Sequence, residues 1–116
     1  MKTSELQGAA LDWAVAKLTN PEWTDEDRWH NTIGYLDTGD EDDEPYQPSI
    51  NWAQGGPIIE RERIHLAHSH FKGHWVAFIA DSDCGNVFGP TPLVAAMRCF
   101  VAAKFGDNID IPEGLK

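Results

Sequence analysis

Gly89-Pro90-Thr91-Pro92-Leu93-Val94-Ala95-Ala96-Met97-Arg98-Cys99-Phe100-Val101-Ala102-Ala103-Lys104-Phe105-Gly106 is the stretch on which the fold turns. Thr91 is a good N-cap and Pro92 is pre-organised for the first helical position, while Leu93, Ala96, Met97, Phe100, Val101 and Lys104 trace one stripe until Gly106 stops it. The spacing predicts a helix from Pro92 to Phe105. Upstream, His74 to Ala80 sets Trp75, Ala77 and Ile79 against Val76, Phe78 and Ala80, apolar on both sides as in a covered central strand.

Working outward, Ile58 to Leu66 alternates Ile58, Glu60, Glu62, Ile64 and Leu66 with Ile59, Arg61, Arg63 and His65, which predicts a second strand, although Gly56-Pro57 could also open a helical turn. Residues 67–73 then join the two strands as an antiparallel pair. At the N-terminus, Ser4 followed by Gln7 forms a capping-box pattern, and Leu6, Ala10, Trp13, Ala14 and Lys17 recur at helical spacing with Leu11, Val15 and Leu18 beside them. A helix from about Ser4 to Leu18 follows, with Asp12 and Lys17 on its wet edge and Asn20-Pro21 as its stop. Residues 22–35 fit neither period and are left unassigned. The expected class is α+β, a small antiparallel sheet flanked by an N-terminal and a C-terminal helix, each covering the sheet with its apolar stripe.

With 116 residues and 41% hydrophobic content, a single domain spanning 1–116 is expected. No apolar run approaches the ~20 residues of a membrane-spanning helix. Glu5 interrupts the N-terminus before any signal-peptide core can form, so an intracellular protein is expected and Cys84 and Cys99 are read as thiols. The net charge of −10 opposes binding to a polyanion, because nucleic-acid affinity depends on cations that displace counterions. Part of that charge sits in 37–44, where six of eight residues are Asp or Glu, within an acidic surface loop at 36–49.

Three separated blocks carry a resemblance: LQGAALDWAVAK at 6–17, WAQGGPIIERE at 52–62 and GPTPLVAAMRCFVAAKFG at 89–106. In this order they resemble the NinX family of tailed-phage and prophage proteins. The resemblance implies a phage-encoded accessory protein acting in the host bacterial cytoplasm. It brings no reaction and no catalytic residue.

Several chemistries can be weighed on the residues themselves. His65, His68, His70 and His74 have a spacing that would suit zinc or nickel if their imidazoles converged, with His68, His70 and His74 on one strand face. They have no companion Cys and straddle a hairpin loop, so loop histidines are the simpler reading. Ser82 and Cys84 lie among carboxylates, which raise a thiol pKa, and no base or nucleophile elbow accompanies them. Glu60 and Glu62 alternate with Arg61 and Arg63 as on any solvated strand face, and phosphate-loop motifs are absent.

No cofactor is implied. A binding site is the remaining expectation. Trp52 offers a flat face, Gln54 an amide, and Gly55 and Gly56 an approachable backbone; Arg61, Thr91 at a helix start and Arg98 two turns on supply affinity for an anion. The plainer alternatives are a cap for Thr91, a surface or interface role for Arg98 and a tight turn for Gly55-Gly56. The preferred reading is a non-enzymatic protein that holds a small anionic, nucleotide-type ligand. The other is a module that blocks or adapts a host protein through Trp23, Trp29 and the acidic loop. A homodimer sharing a pocket at Arg98 or Arg61 is compatible with both.

Overall fold

The computed structural model describes residues 1–19, 46–69, 74–80, 82 and 85–111, and the backbone of 29–30 and 35–36. A 3-10 turn at Thr3–Glu5 precedes α1 (Gly8–Thr19), β1 (Trp29–His30), β2 (Tyr35–Leu36), α2 (Trp52–Glu62), β3 (His65–Ser69), β4 (His74–Phe78), β5 (Val87–Gly89) and α3 (Pro92–Phe105). β3, β4 and β5 form an antiparallel sheet with β4 in the centre, and β1 pairs with β2. The class is α+β. None of the helices among the described residues is long and apolar enough to cross a membrane.

α3 forms as its sequence predicts. Thr91 Oγ1 accepts the Val94 N–H at 3.1 Å, Pro92 takes the first turn and Gly106 closes the helix with φ +81. Its burial exceeds one stripe: Val94, Ala95 and Cys99 are buried along with Leu93, Ala96, Met97, Phe100 and Val101. The sheet covers one side, while α1 and α2 pack against others. This corrects the expectation that both terminal helices lie on the sheet, because α1 packs mainly on α3.

On the sheet side, β5 comes so close that a Cβ on Gly89 would stand 2.6 Å from the Ala95 nitrogen. Val87 and Gly89 are buried, and register places Val87 beside Ala77 and Gly89 beside Trp75. β5 had no signal in the sequence, since three residues cannot display a period.

α2 replaces the beginning of the strand expected at 58–66. Asn51 Oδ1 caps it by accepting the Ala53 N–H at 2.9 Å, and Pro57, which has no N–H, is tolerated inside it. The Ile-Ile-Glu-Arg alternation is equally a helix burying Ile58, with Ile59 half-buried and Glu60 and Arg61 outside. Arg63 ends it in the left-handed region at φ 55, and the Ile64 N–H reaches back to the Ile59 carbonyl. Only then does β3 start.

α1 also begins later than Ser4. Thr3 is held by the C-terminal end of the chain, donating its N–H to the Asp107 carbonyl at 2.9 Å and its hydroxyl to the Gly106 carbonyl at 2.7 Å. Residues 3–5 therefore make a separate turn, and Gly8, at φ +56, redirects the chain into α1. Lys17 is exposed over the Trp13 ring, but Asp12 is not on a wet edge. The residue is 3% exposed, and its carboxylate accepts the backbone N–H of buried Ser49 at 2.9 Å. That bond ties α1 to the turn ahead of α2, so Pro48 and Ser49 are buried and the expected surface loop is packed at its end. Residues 37–45, which carry its acidic run, lie outside the described residues, as does Cys84.

Burial drives the Asp12 pKa from its ordinary 3.8 to about 6, the hydrogen bonds from Ser49 only partly opposing it. The folded state binds this proton more tightly than the unfolded chain, so stability falls as pH rises from about 3.8 to 6 and is level above. The difference is worth about 3 kcal/mol. Asp12→Asn keeps an acceptor for Ser49 without the buried charge and is expected to stabilise the fold by about 1–3 kcal/mol at pH 7.5 and by little at pH 4, measured by urea unfolding. Gly89→Ala is expected to cost about 1–3 kcal/mol in the same assay, since its Cβ would meet backbone.

Candidate functional site

Two recesses flank the Gly89–Pro92 corner. The smaller, about 200 Å³, is lined by Ser49, Ile50, Trp52, Thr91, Pro92 and Leu93. It brings together two residues singled out in the sequence, Trp52 at the start of α2 and Thr91 at the start of α3. Trp52 is 54% exposed and Ile50 68%, so this is an apolar patch with a shallow floor. Its volume is below the ~300–1,000 Å³ typical of small-molecule pockets.

The other singled-out residues have separate places. Gln54 turns back, its Oε1 accepting the Gln47 N–H at 2.6 Å. Gly55 is buried where α2 crosses α3, and a Cβ there would run into the Pro48 carbonyl and the Leu93 side chain. Gly56 has open space around it. Arg61 stands nine residues beyond Trp52, about 14 Å along the helix axis, and pairs with Glu62 at 3.1 Å. Glu62 also meets Lys104 at 3.3 Å, joining α2 to α3. Partial burial would raise the Glu62 pKa, but hydrogen bonds from Arg61 and Lys104 outweigh it and hold it below the usual range.

The larger recess, about 670 Å³, lies on the other side of the corner. Arg98 and Ala102 of α3 line it, together with residues 2–4 and 107–108 on one side, residues 86–90 on the other, and His74. The first of these sides is built by an isolated antiparallel bridge between Lys2 and Asn108, with the Ile109 N–H donating to the Met1 carbonyl at 3.0 Å.

Arg98 is fixed by two backbone carbonyls. Its Nε donates to Leu6 O at 2.6 Å and its Nη1 to Phe88 O at 2.9 Å, which links α3, the N-terminal segment and β5. The guanidinium is half-buried, and burial lowers its pKa, with the Glu5 charge opposing from a distance. No carboxylate among the described residues stands within ion-pairing distance of it. A half-buried cation with no carboxylate at ion-pairing distance among the described residues is an electrostatic site for an anion.

The histidines do not share the expected face. In the β3–β4 register His68 faces Trp75 and Ser69 faces His74, so His68 and His74 point to opposite faces. His65 stacks on Phe78 at 4.7 Å and His68 meets the Trp75 edge at 5.2 Å. His70 lies outside the described residues, and among these no group of three or more His, Cys, Asp or Glu is placed to hold a metal.

The three blocks that resembled a phage family become α1, α2 and the corner with α3. A family model described as Bacteriophage P22, NinX matches residues 2–104. The chain belongs to this NinX family. A search of curated proteins finds no significant match. In this NinX-family chain the matched span contains both recesses except for residues 107–108 of the larger.

Sequence reasoning named Arg98 but not its groove. Lys2, Phe88 and His74 reach it through long-range pairing, which leaves no local pattern. Arg98→Met should remove two charge-assisted bonds to backbone carbonyls and cost about 1–3 kcal/mol in urea unfolding, in spite of the apolar stem being kept.

Proposed function

We propose that this NinX-family protein is a non-enzymatic phage accessory protein that holds a small anionic molecule in the Arg98 groove. Its role would be to sequester a nucleotide-type immune signal in the host cytoplasm. The observation that carries the reading is Arg98, a half-buried guanidinium anchored on two carbonyls and lacking a carboxylate partner among the described residues, in a groove of about 670 Å³. That volume is in the range of small-molecule sites. Lys2 and His74 line the same groove, while Asp107 is the acidic residue that would orient a ligand by repulsion.

The Trp52–Thr91 recess is a secondary contact in this reading. The helix start there favours negative charge, and the exposed indole offers a stacking face, yet the floor is too small to enclose a ligand alone.

A second reading, a module that docks on a host protein, is favoured by the exposure of Trp52 and Ile50 on adjacent turns. Trp23, the side chain of Trp29 and the acidic run, first considered for that surface, lie outside the described residues. Affinity capture from host lysate separates the readings: a stoichiometric partner lost in Trp52→Ala supports docking, whereas a ligand sponge retains none.

Thermal-shift screening against inorganic phosphate, nucleotides and cyclic nucleotides, followed by calorimetry, tests the preferred reading directly. At least one binder tighter than millimolar is expected, weakened about tenfold or more in Arg98→Met at a temperature where that variant is folded. Absence of any such binder overturns it.

A further inference from the structure

We propose that the patch formed by Ile50 and Trp52 is a self-association face, on which a second copy of this chain docks about a twofold axis. The proposal is independent of the anion reading, because the Arg98 groove lies on the other side of the Gly89–Pro92 corner. Residues 46–59 and 85–97 contain no Asp, Glu, Lys, Arg or His, although 24% of the chain is charged. The fold brings these two stretches together: Ser49, Ile50 and Trp52 from the first and Thr91, Pro92 and Leu93 from the second line one recess of about 200 Å³. Its rim is apolar and open, with Trp52 54% and Ile50 68% exposed.

The backbone beneath the patch is fixed. The Ile50 and Asn51 N–H groups both donate to the Gln47 carbonyl, at 3.0 and 2.8 Å, the Ser49 N–H is held by Asp12, and Asn51 caps α2. Side chains presented on such a frame lose little further freedom when they are covered. The charge pattern selects what covers them. A partner recognised by its charge would meet no counter-charge in the residues that line this recess, and its own charged groups would lose water against Trp52 and Ile50. Two copies carrying −10 each repel one another, and that repulsion is least where neither surface brings charge to the contact. A twofold contact sets the same patch on both sides, neutral and apolar against neutral and apolar, with the Trp52 of each copy reaching the recess of the other. The patch is small beside the ~800 Å² per partner of a stable complex, so the dimer is weak, with a Kd of about 10–100 μM.

Sedimentation velocity on the full chain, over about 5 to 300 μM at pH 7.5, tests this. A monomer–dimer equilibrium is expected, and it should tighten about threefold or more between about 50 and 500 mM NaCl, because salt screens the repulsion between like net charges. Ile50→Glu puts a like charge on both faces at an exposed position and should weaken dimerisation about tenfold or more. Trp52→Ala should do the same, and Ile50→Glu decides the matter alone should the Trp52 variant prove unstable in urea. Arg61→Gln, near the far end of α2, should leave the equilibrium unchanged. A chain that stays monomeric throughout, a dimer that loosens as salt is raised, or one that Ile50→Glu leaves intact overturns the proposal. A host protein captured by a monomeric chain and lost in Trp52→Ala overturns it too, and gives the patch to that partner.

Discussion

Burial of α3 on nearly every side is the constraint from which the rest of this structure follows. An all-round apolar helix cannot be left with one face in water, so three different surfaces are recruited to cover it: the β3–β4–β5 sheet, α1 and α2. Its small residues permit this. Ala95 lets the Gly89 backbone into contact, and Gly55 lets α2 approach Leu93. Each of those approaches is a backbone meeting a helix without a side chain between them, which is why glycine occupies both crossing points.

The same packing creates the groove. Arg98 is the one polar side chain along the buried length of α3, and it cannot be left among hydrocarbon without hydrogen bonds. It emerges between the N-terminal segment and β5 and takes one carbonyl from each. The space beside it stays open because the walls are rigid backbone ladders, Lys2 with Asn108 on one side and β5 with β4 on the other. Asp12 shows the opposite solution to a buried charge. It lies under the turn before α2, bonded to Ser49, and burial pushes it toward protonation. Asp12 is buried and fixes chain to chain, whereas half-buried Arg98 does so and also lines a groove.

The candidate site was legible only in part. Thr91 as a cap and Trp52 as a surface aromatic follow from local chemistry, and the structure places both at one recess. Arg61 and Gln54 looked equivalent to them in the sequence, yet Arg61 pairs with Glu62 and Gln54 with the Gln47 N–H. What distinguishes these outcomes is which neighbour arrives from elsewhere in the chain. Phe88 had no signal at all, because a three-residue strand has too few positions to reveal an inward and an outward face.

The sequence by itself determined α3, its cap and its stop, the central strand β4, the α+β class and the family, since each rests on local spacing or on blocks of residues in order. Tertiary structure alone decided that residues 58–62 belong to a helix rather than a strand, that Asp12 is buried and that Arg98 lines a groove. The physical reason is common to all three. An alternating Ile-Ile-Glu-Arg run satisfies two periods, a carboxylate on a helix can face either water or a neighbour, and a guanidinium reaches whichever carbonyls the fold delivers. In each case the choice belongs to partners distant in the chain, such as Ser49 for Asp12 and Leu6 for Arg98, or to a neighbouring element whose position no local pattern encodes.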